Sequence, residues 1–227
     1  MPQTTPIEPA ESLFAATLLA ATGGLLDAFV YLNHGHVFAN AMTGNVVLLG
    51  IALTTGDLHQ ALRHITPLCA FLAGVFVARF IHDQLGRNAA IAGLTLEIAV
   101  LFAVSLFPLT FPQMAFTAIV AFVSAFQITS FRRAGSFSYN STFVTGNLRD
   151  VALGVYDRFA APSPVTRTEG GSHAFHLGLV CLFFLAGACL GAWAGPHLAN
   201  HTLWLAEPFL LAVVALHLGR KAVTQPS

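Results

Sequence analysis

The sequence predicts an all-α integral membrane protein, with six transmembrane helices and two re-entrant half-helices in two inverted-topology repeats. Three observations lead there. Apolar residues make up 56% of the 227-residue chain and charged ones only 9%, whereas soluble domains carry roughly 25% charged residues. Six apolar runs are about as long as a bilayer requires. Finally, the triplet Thr43-Gly44-Asn45 recurs as Thr145-Gly146-Asn147 in matching surroundings.

The six long runs are 13–32, 65–82, 89–107, 113–131, 177–195 and 202–219. At 1.5 Å per residue each reaches roughly 30 Å. Two further runs, about 44–55 and 146–156, would make helices of roughly 15–18 Å, about half a bilayer. Charge bias decides whether these cross, because cytoplasmic loops hold the Lys and Arg. With eight crossings the basic residues divide without bias. With the two short segments re-entrant, Arg79, Arg87, Arg132, Arg133, Arg158, Arg167, Arg220 and Lys221 all fall inside and Arg63 stays outside. The six-span arrangement is therefore expected, with both termini cytoplasmic. Met1–Glu11 has no Lys or Arg, so it lacks the basic region of a secretory signal, and the first run is expected to be retained.

The recurrence extends beyond the triplets. Gly35 and Asn40 match Gly135 and Asn140, and Phe71-Leu72-Ala73-Gly74 matches Phe184-Leu185-Ala186-Gly187. Leu96-Glu97 is echoed by Ala206-Glu207. The expected organisation is a cytoplasmic tail 1–11, a first membrane repeat 12–107, a second 112–220 and a cytoplasmic tail 221–227. Each repeat reads span, half-helix, span, span. Three full crossings is an odd number, so the second copy would sit upside down, an arrangement that recurs in channels and secondary transporters.

The runs Gly24-Leu25-Leu26-Asp27-Ala28 and Val37–Asn45, with Phe126-Gln127 through Phe131-Arg132-Arg133 to Leu148, resemble the YoaK-like bacterial membrane proteins over nearly the whole chain. The resemblance implies a multi-pass protein of the bacterial inner membrane. It brings no catalytic residue or substrate with it. This chain departs at Ile128, where a small polar residue would be expected.

The triplets are the first candidate site. Thr can cap a helix N-terminus, Gly admits close approach, and Asn both donates and accepts. If both half-helices begin near the midplane, their positive ends would point toward one spot, with Thr43, Gly44, Asn45, Thr145, Gly146 and Asn147 as the substrate-binding set. The competing reading is that Thr and Asn only satisfy helix ends in a packed core. Asp27, Glu97 and Glu207 lie within spans, and Gln127 stands where Asp27 stands in the first copy. An acidic side chain at a helix centre costs roughly 2.5–3.5 kcal/mol on insertion scales, which marks Asp27 and Glu97 as candidates for proton coupling. The plainer reading is a helix-to-helix hydrogen bond. Arg149 and Asp150 are adjacent, do not face each other on a helix, and are expected to find separate partners.

Other features read as structure. Gly187, Gly191 and Gly195, four apart, make a packing face, as do Gly74 and Ala78. Cys69, Cys181 and Cys189 are an odd number without metal spacing and read as small buried apolar residues. The pairs His34/His36, His173/His176 and His197/His201 lack a carboxylate or thiolate to complete a metal set, so no metal or cofactor is expected. Net charge is zero, which gives nucleic acid no basic face. No nucleophile–base pair supports an enzyme.

The functional expectation is a transporter or channel for a small polar or anionic solute, proton-coupled through Glu97 and Asp27. The alternative is a non-transporting sensor or assembly partner whose polar residues serve packing. Expected partners are the lipid bilayer, a small-molecule solute and, in a homo-oligomer, further copies of the chain.

Overall fold

The computed structural model describes residues 12–134, 137–139, 141–142 and 144–224. They form eight α-helices: α1 Leu13–Asn33, α2 Met42–Thr54, α3 Leu58–Leu85, α4 Ala89–Ser105, α5 Gln113–Ser130, α6 Val144–Ala160, α7 Pro164–Leu198 and α8 Glu207–Thr224. A two-residue antiparallel pair, β1 Arg133–Ala134 with β2 Phe137–Ser138, stands before α6. The expected tails 1–11 and 225–227 lie outside the described residues.

Helix ends follow local chemistry. Ser12 caps α1 by accepting the Ala15 amide at 3.2 Å, and Asp57 caps α3 by accepting that of Gln60 at 3.0 Å. The end of α1 is closed by the Val30 carbonyl, which accepts from the His34 amide, and by the Tyr31 carbonyl, which accepts from His36. That turn needs a positive φ, supplied by Gly35 at +86°. Pro164 opens α7 at a position where its missing N–H is no loss.

Four sequence boundaries move. α3 has 28 residues and begins at Leu58, ahead of the run at 65, because the Asp57 cap starts the helix in polar sequence. α6 has 17 residues rather than the 11 of the apolar run, because charged residues on an exposed helix face end an apolar run without ending the helix. α7 has 35 residues and begins 13 positions before the apolar run at 177, its polar first turns packing along α6 through Gly154, Gly170 and Ala174. A 3₁₀ stretch, Ala199–Leu205, takes the start of the last apolar run and delays α8. α1, α3, α5 and the stretch Pro164–Gly219 are long and apolar enough to cross a membrane; α2 and α4 are shorter, with 13 and 17 residues.

The helices make an ordered set of pairs. α1 packs on α7 and α3 on α5; α2 lies on α3 and α6 on α7; α4 lies on α5 and α8 on α1, and α4 and α8 touch each other. Nearly all of α1 is buried, whereas few residues of α3 and α7 are. A helix apolar all round must be enclosed, and α1 is the enclosed one. Its main core joins Leu19, Leu25 and Phe29 to Leu94 and Leu101 of α4, Phe116 and Val120 of α5, and Leu210 and Val213 of α8. Outward, Phe76 is 76% and Phe159 78% exposed, faces that lipid rather than water suits. Cys69 and Cys189 are exposed and Cys181 half-buried, contrary to the reading as buried residues. They sit on outward faces, where lipid supplies the apolar surroundings.

The glycine stripe works as expected. A Cβ at Gly187 would collide with the Ala21 carbonyl and one at Gly191 with that of Leu25, while Gly24 meets the Phe184 carbonyl from the other side. On the α3–α5 pair, Gly74 stands against the Phe122 carbonyl. Backbones this close exclude even a methyl group.

Gly187→Ala is therefore expected to destabilise by on the order of 3 kcal/mol, the upper end of ordinary overpacking. Gly178→Ala on the same helix, with nothing within 4 Å of the added carbon, should be neutral or slightly stabilising. Thermal unfolding of the two purified variants in one detergent checks the pair; equal melting would contradict the close contact.

Candidate functional site

Two non-helical segments fold back against the middle of α1. The first, ahead of α2, is held by Asp27: its Oδ1 accepts the Asn40 amide at 2.7 Å and the Ala41 amide at 3.3 Å. The Asn40 side chain donates through Nδ2 to the Gly23 carbonyl at 3.3 Å. The second segment, ahead of α6, is held by Gln127, whose Nε2 donates to Ser141 Oγ and to the Leu19 carbonyl, both at 3.1 Å. It reaches the same turn of α1, since a Cβ at Gly23 would lie 3.0 Å from Thr142 Cγ2 and 3.2 Å from the Ser141 carbonyl. Asp27 and Gln127, matched in the sequence, do matched work. One accepts from backbone amides, the other donates to a hydroxyl.

The triplets divide by residue. Asn45 is fully buried and grips the Phe38 backbone twice: Oδ1 accepts its amide at 3.0 Å and Nδ2 donates to its carbonyl at 2.8 Å. Gly44 leaves room for the Phe38 ring, two carbons of which would lie 2.7 Å from an added Cβ. Thr43 is exposed within the first turn of α2 and is not the cap; Ala41 stands at that position, and the carboxylate of Asp27 accepts from the two amides just ahead of the helix, Asn40 and Ala41. In the second copy Asn147 is buried while Thr145 and Gly146 are exposed. α2 and α6 do not pack along one another. The parts brought together on α1 are the residues just upstream of the triplets.

This centre is closed. Asn40, Gln127 and Ser141 are at most 2% exposed. Among the described residues, two buried acceptor oxygens there, Asp27 Oδ2 and Asn40 Oδ1, have no hydrogen-bond partner. Glu97 of α4 is fully buried, and neither of its oxygens has a partner among the same residues. Glu207 is half-buried at the start of α8, with Oε1 likewise unpartnered among them. Arg149 and Asp150 do not take separate partners: Arg149 Nε and Nη2 both reach Asp150 Oδ1 at 2.7 Å. The long arginine stem folds back along an exposed surface, which backbone direction alone does not forbid.

Beyond the end of α1, His34 is sandwiched. Its ring stacks on Phe116 at 3.6 Å, and its Nε2 pairs with Asn200 Oδ1 at 3.1 Å. Burial pushes the imidazole down to about 4, with the Asn200 contact opposing. Asn200 in turn donates to the Phe107 carbonyl at 3.0 Å, so one polar chain ties the ends of α1, α4 and α7.

Residues 15–216 match the model of a family described as "Protein of unknown function (DUF1275)". The chain belongs to the DUF1275 family. It is 27% identical over 198 residues to the UPF0700 transmembrane protein YoaK of Bacillus subtilis (strain 168), covering 83% of this chain and 86% of that one. No solved structure matches it. The printed name of that relative and the apolar helices agree on a membrane protein, as the YoaK-like resemblance implied. In this DUF1275 chain, Phe38, Ser141 and Thr142 carry the central contacts and were not singled out from sequence. The available signal was the matched pair Asn40 and Asn140, which flagged the segments ahead of both triplets.

Asn45→Ala removes both grips on Phe38 and leaves a backbone amide and carbonyl unpaired, so a loss of about 1–3 kcal/mol is expected. Thr43→Ala, two residues away and exposed, should change stability little. Thermal unfolding of both variants decides; an unchanged melting temperature for Asn45→Ala would mean that the side chain serves something other than Phe38.

Proposed function

We propose that this chain is an inner-membrane carrier for a small polar solute, built as two inverted repeats with α2 and α6 re-entrant and both termini cytoplasmic. The observation that carries the reading is the meeting of the two non-helical segments, ahead of α2 and α6, on one turn of α1. Irregular backbone at membrane depth is tolerated only where protein buries it or it lines a cavity. The repeat draws support from the helix pairs: exchanging α1–α4 with α5–α8 turns α1–α7 into α5–α3, α2–α3 into α6–α7, and α1–α8 into α5–α4.

A closed centre favours a carrier that exposes its site in turn over an open channel. The anionic alternative is the less supported one, because the Asp27 carboxyl already accepts from the backbone amides at the positive end of α2. Glu97 is the proton carrier in this reading. Asp27 has one oxygen committed to the Asn40 and Ala41 amides, whereas both oxygens of Glu97 are uncommitted. The competing role, a sensor or assembly partner that moves nothing, draws on Asn45, whose polar atoms serve the backbone of its own loop.

Topology is checked by cysteine labelling from each side of the membrane. A cysteine placed beside Arg87 should react only from the cytoplasm; reaction from outside would restore eight crossings and end the inverted repeat.

Transport is checked in proteoliposomes screened for solute-dependent proton movement. Glu97→Gln keeps shape and hydrogen bonding but cannot titrate, so folding should survive while coupled proton flux falls at least tenfold. Undiminished coupling in a normally folded Gln variant would remove Glu97 from the mechanism. Dry, unreactive cysteines at 40 and 141 in every condition would favour the packing role.

A further inference from the structure

Away from the buried centre, a cleft of about 250 Å³ opens where the end of α1 meets α2 and the start of α3. Its polar lining is Tyr31, His36, Thr55, Asp57, Gln60 and His64, over a floor of aliphatic side chains from α2. None of the sequence candidates lies in it.

Three features make it more than a surface dent. His64 is only 5% exposed, yet its Nδ1 has no hydrogen-bond partner among the described residues, an exception that asks for an explanation. His36 has φ +57°, directly after Gly35 at +86°. A non-glycine residue held there bears backbone strain, which recurs at binding sites. Tyr31 is fixed as a wall, stacked on Phe38 at 4.7 Å and met edge-on by His36 at 5.2 Å.

The chemistry of the lining selects the ligand. Asp57 is the only Asp, Glu, Lys or Arg among the lining residues. Arg63 is not a lining residue; its guanidinium lies by Gly35, with Nη1 3.3 Å from where a Cβ there would stand, on the His36–His64 side and not the Asp57 side of the lining. Oxygens of Asp57, Tyr31 and Thr55 are acceptors for a donor-rich guest, and an aromatic wall attracts cations. Among the described residues no three His, Cys, Asp or Glu groups are placed to hold a metal ion, so the guest is organic. The volume suits a few heavy atoms, below the usual range for drug-sized ligands.

We propose that this cleft binds a small organic cation, a protonated amine of a few carbons, through Asp57 and Tyr31. The site stands apart from the transport reading, because binding can be measured without flux.

The test uses the full chain in detergent, titrated at pH 7.5 with propylammonium, with propanol as its uncharged match and propionate as the anion. Calorimetry or chemical-shift titration should show saturable binding of the amine, at least tenfold tighter than propanol, and none of propionate. Asp57→Asn keeps the α3 cap, since Asn caps as well as Asp, and should weaken the amine at least fivefold while leaving propanol unchanged. Gln60→Lys sets a positive charge in the cleft without touching the cap and should abolish amine binding. Equal affinities for amine and alcohol, no saturable amine binding, or full amine affinity in either variant would overturn the proposal.

Discussion

Every backbone amide and carbonyl that leaves a helix inside a membrane must find a partner within the protein. That constraint organises the centre of this chain. The segments ahead of α2 and α6 leave regular structure close to α1, and each is tied by side chains from a neighbouring helix or from its own turn. Asp27 accepts from Asn40 and Ala41, Gln127 donates to Ser141, and Asn45 closes on both polar groups of Phe38. Remove these ties and the segments ahead of α2 and α6 would be left with unpaired polar groups. A polar residue in this setting is first a structural necessity. It becomes a candidate for chemistry only where atoms remain unpartnered, as at Asp27 Oδ2, Asn40 Oδ1 and Glu97.

Close packing supplies the second half of the architecture. Lipid gives no hydrophobic drive to pair one apolar helix with another, so association depends on shape and on small residues. Gly24, Gly187 and Gly191 let α1 and α7 approach until main chain meets main chain, and Gly74 does the same for α3 against α5. The aromatic side chains that a soluble protein would bury instead face outward, as Phe76 and Phe159 do. Position in the bundle, not hydrophobicity, separates α1 from α3.

Much of this was legible in the chain. The apolar runs located six of the helices, and four stretches are long and apolar enough to cross, because span length is a count of residues against a fixed thickness. The recurrence of Thr-Gly-Asn marked the segments that meet at α1, and the glycine spacing marked the packing face, since i and i+4 share a side of a helix. Boundaries were less legible. Charged residues in α6 and the polar start of α7 end an apolar run, but they do not break the backbone ladder that defines a helix.

Sequence by itself determined the membrane class, the place of each apolar helix along the chain, and the paired positions Asp27 with Gln127 and Asn45 with Asn147. Only the tertiary structure decided what those side chains touch. Asn45 could have faced a solute; it grips Phe38, because the loop returns along α2 and brings that backbone within reach. Thr43 could have capped α2, but the chain enters the helix at Ala41 and leaves Thr43 inside the first turn, while the carboxylate of Asp27 arrives from α1 and fixes the Asn40 and Ala41 amides just ahead of it. A cleft shared by α1, α2 and α3 leaves no mark in any one stretch of sequence, for its residues from Tyr31 to His64 share no motif and meet only through packing. Contacts between distant segments depend on where whole helices lie, and local pattern carries no record of that.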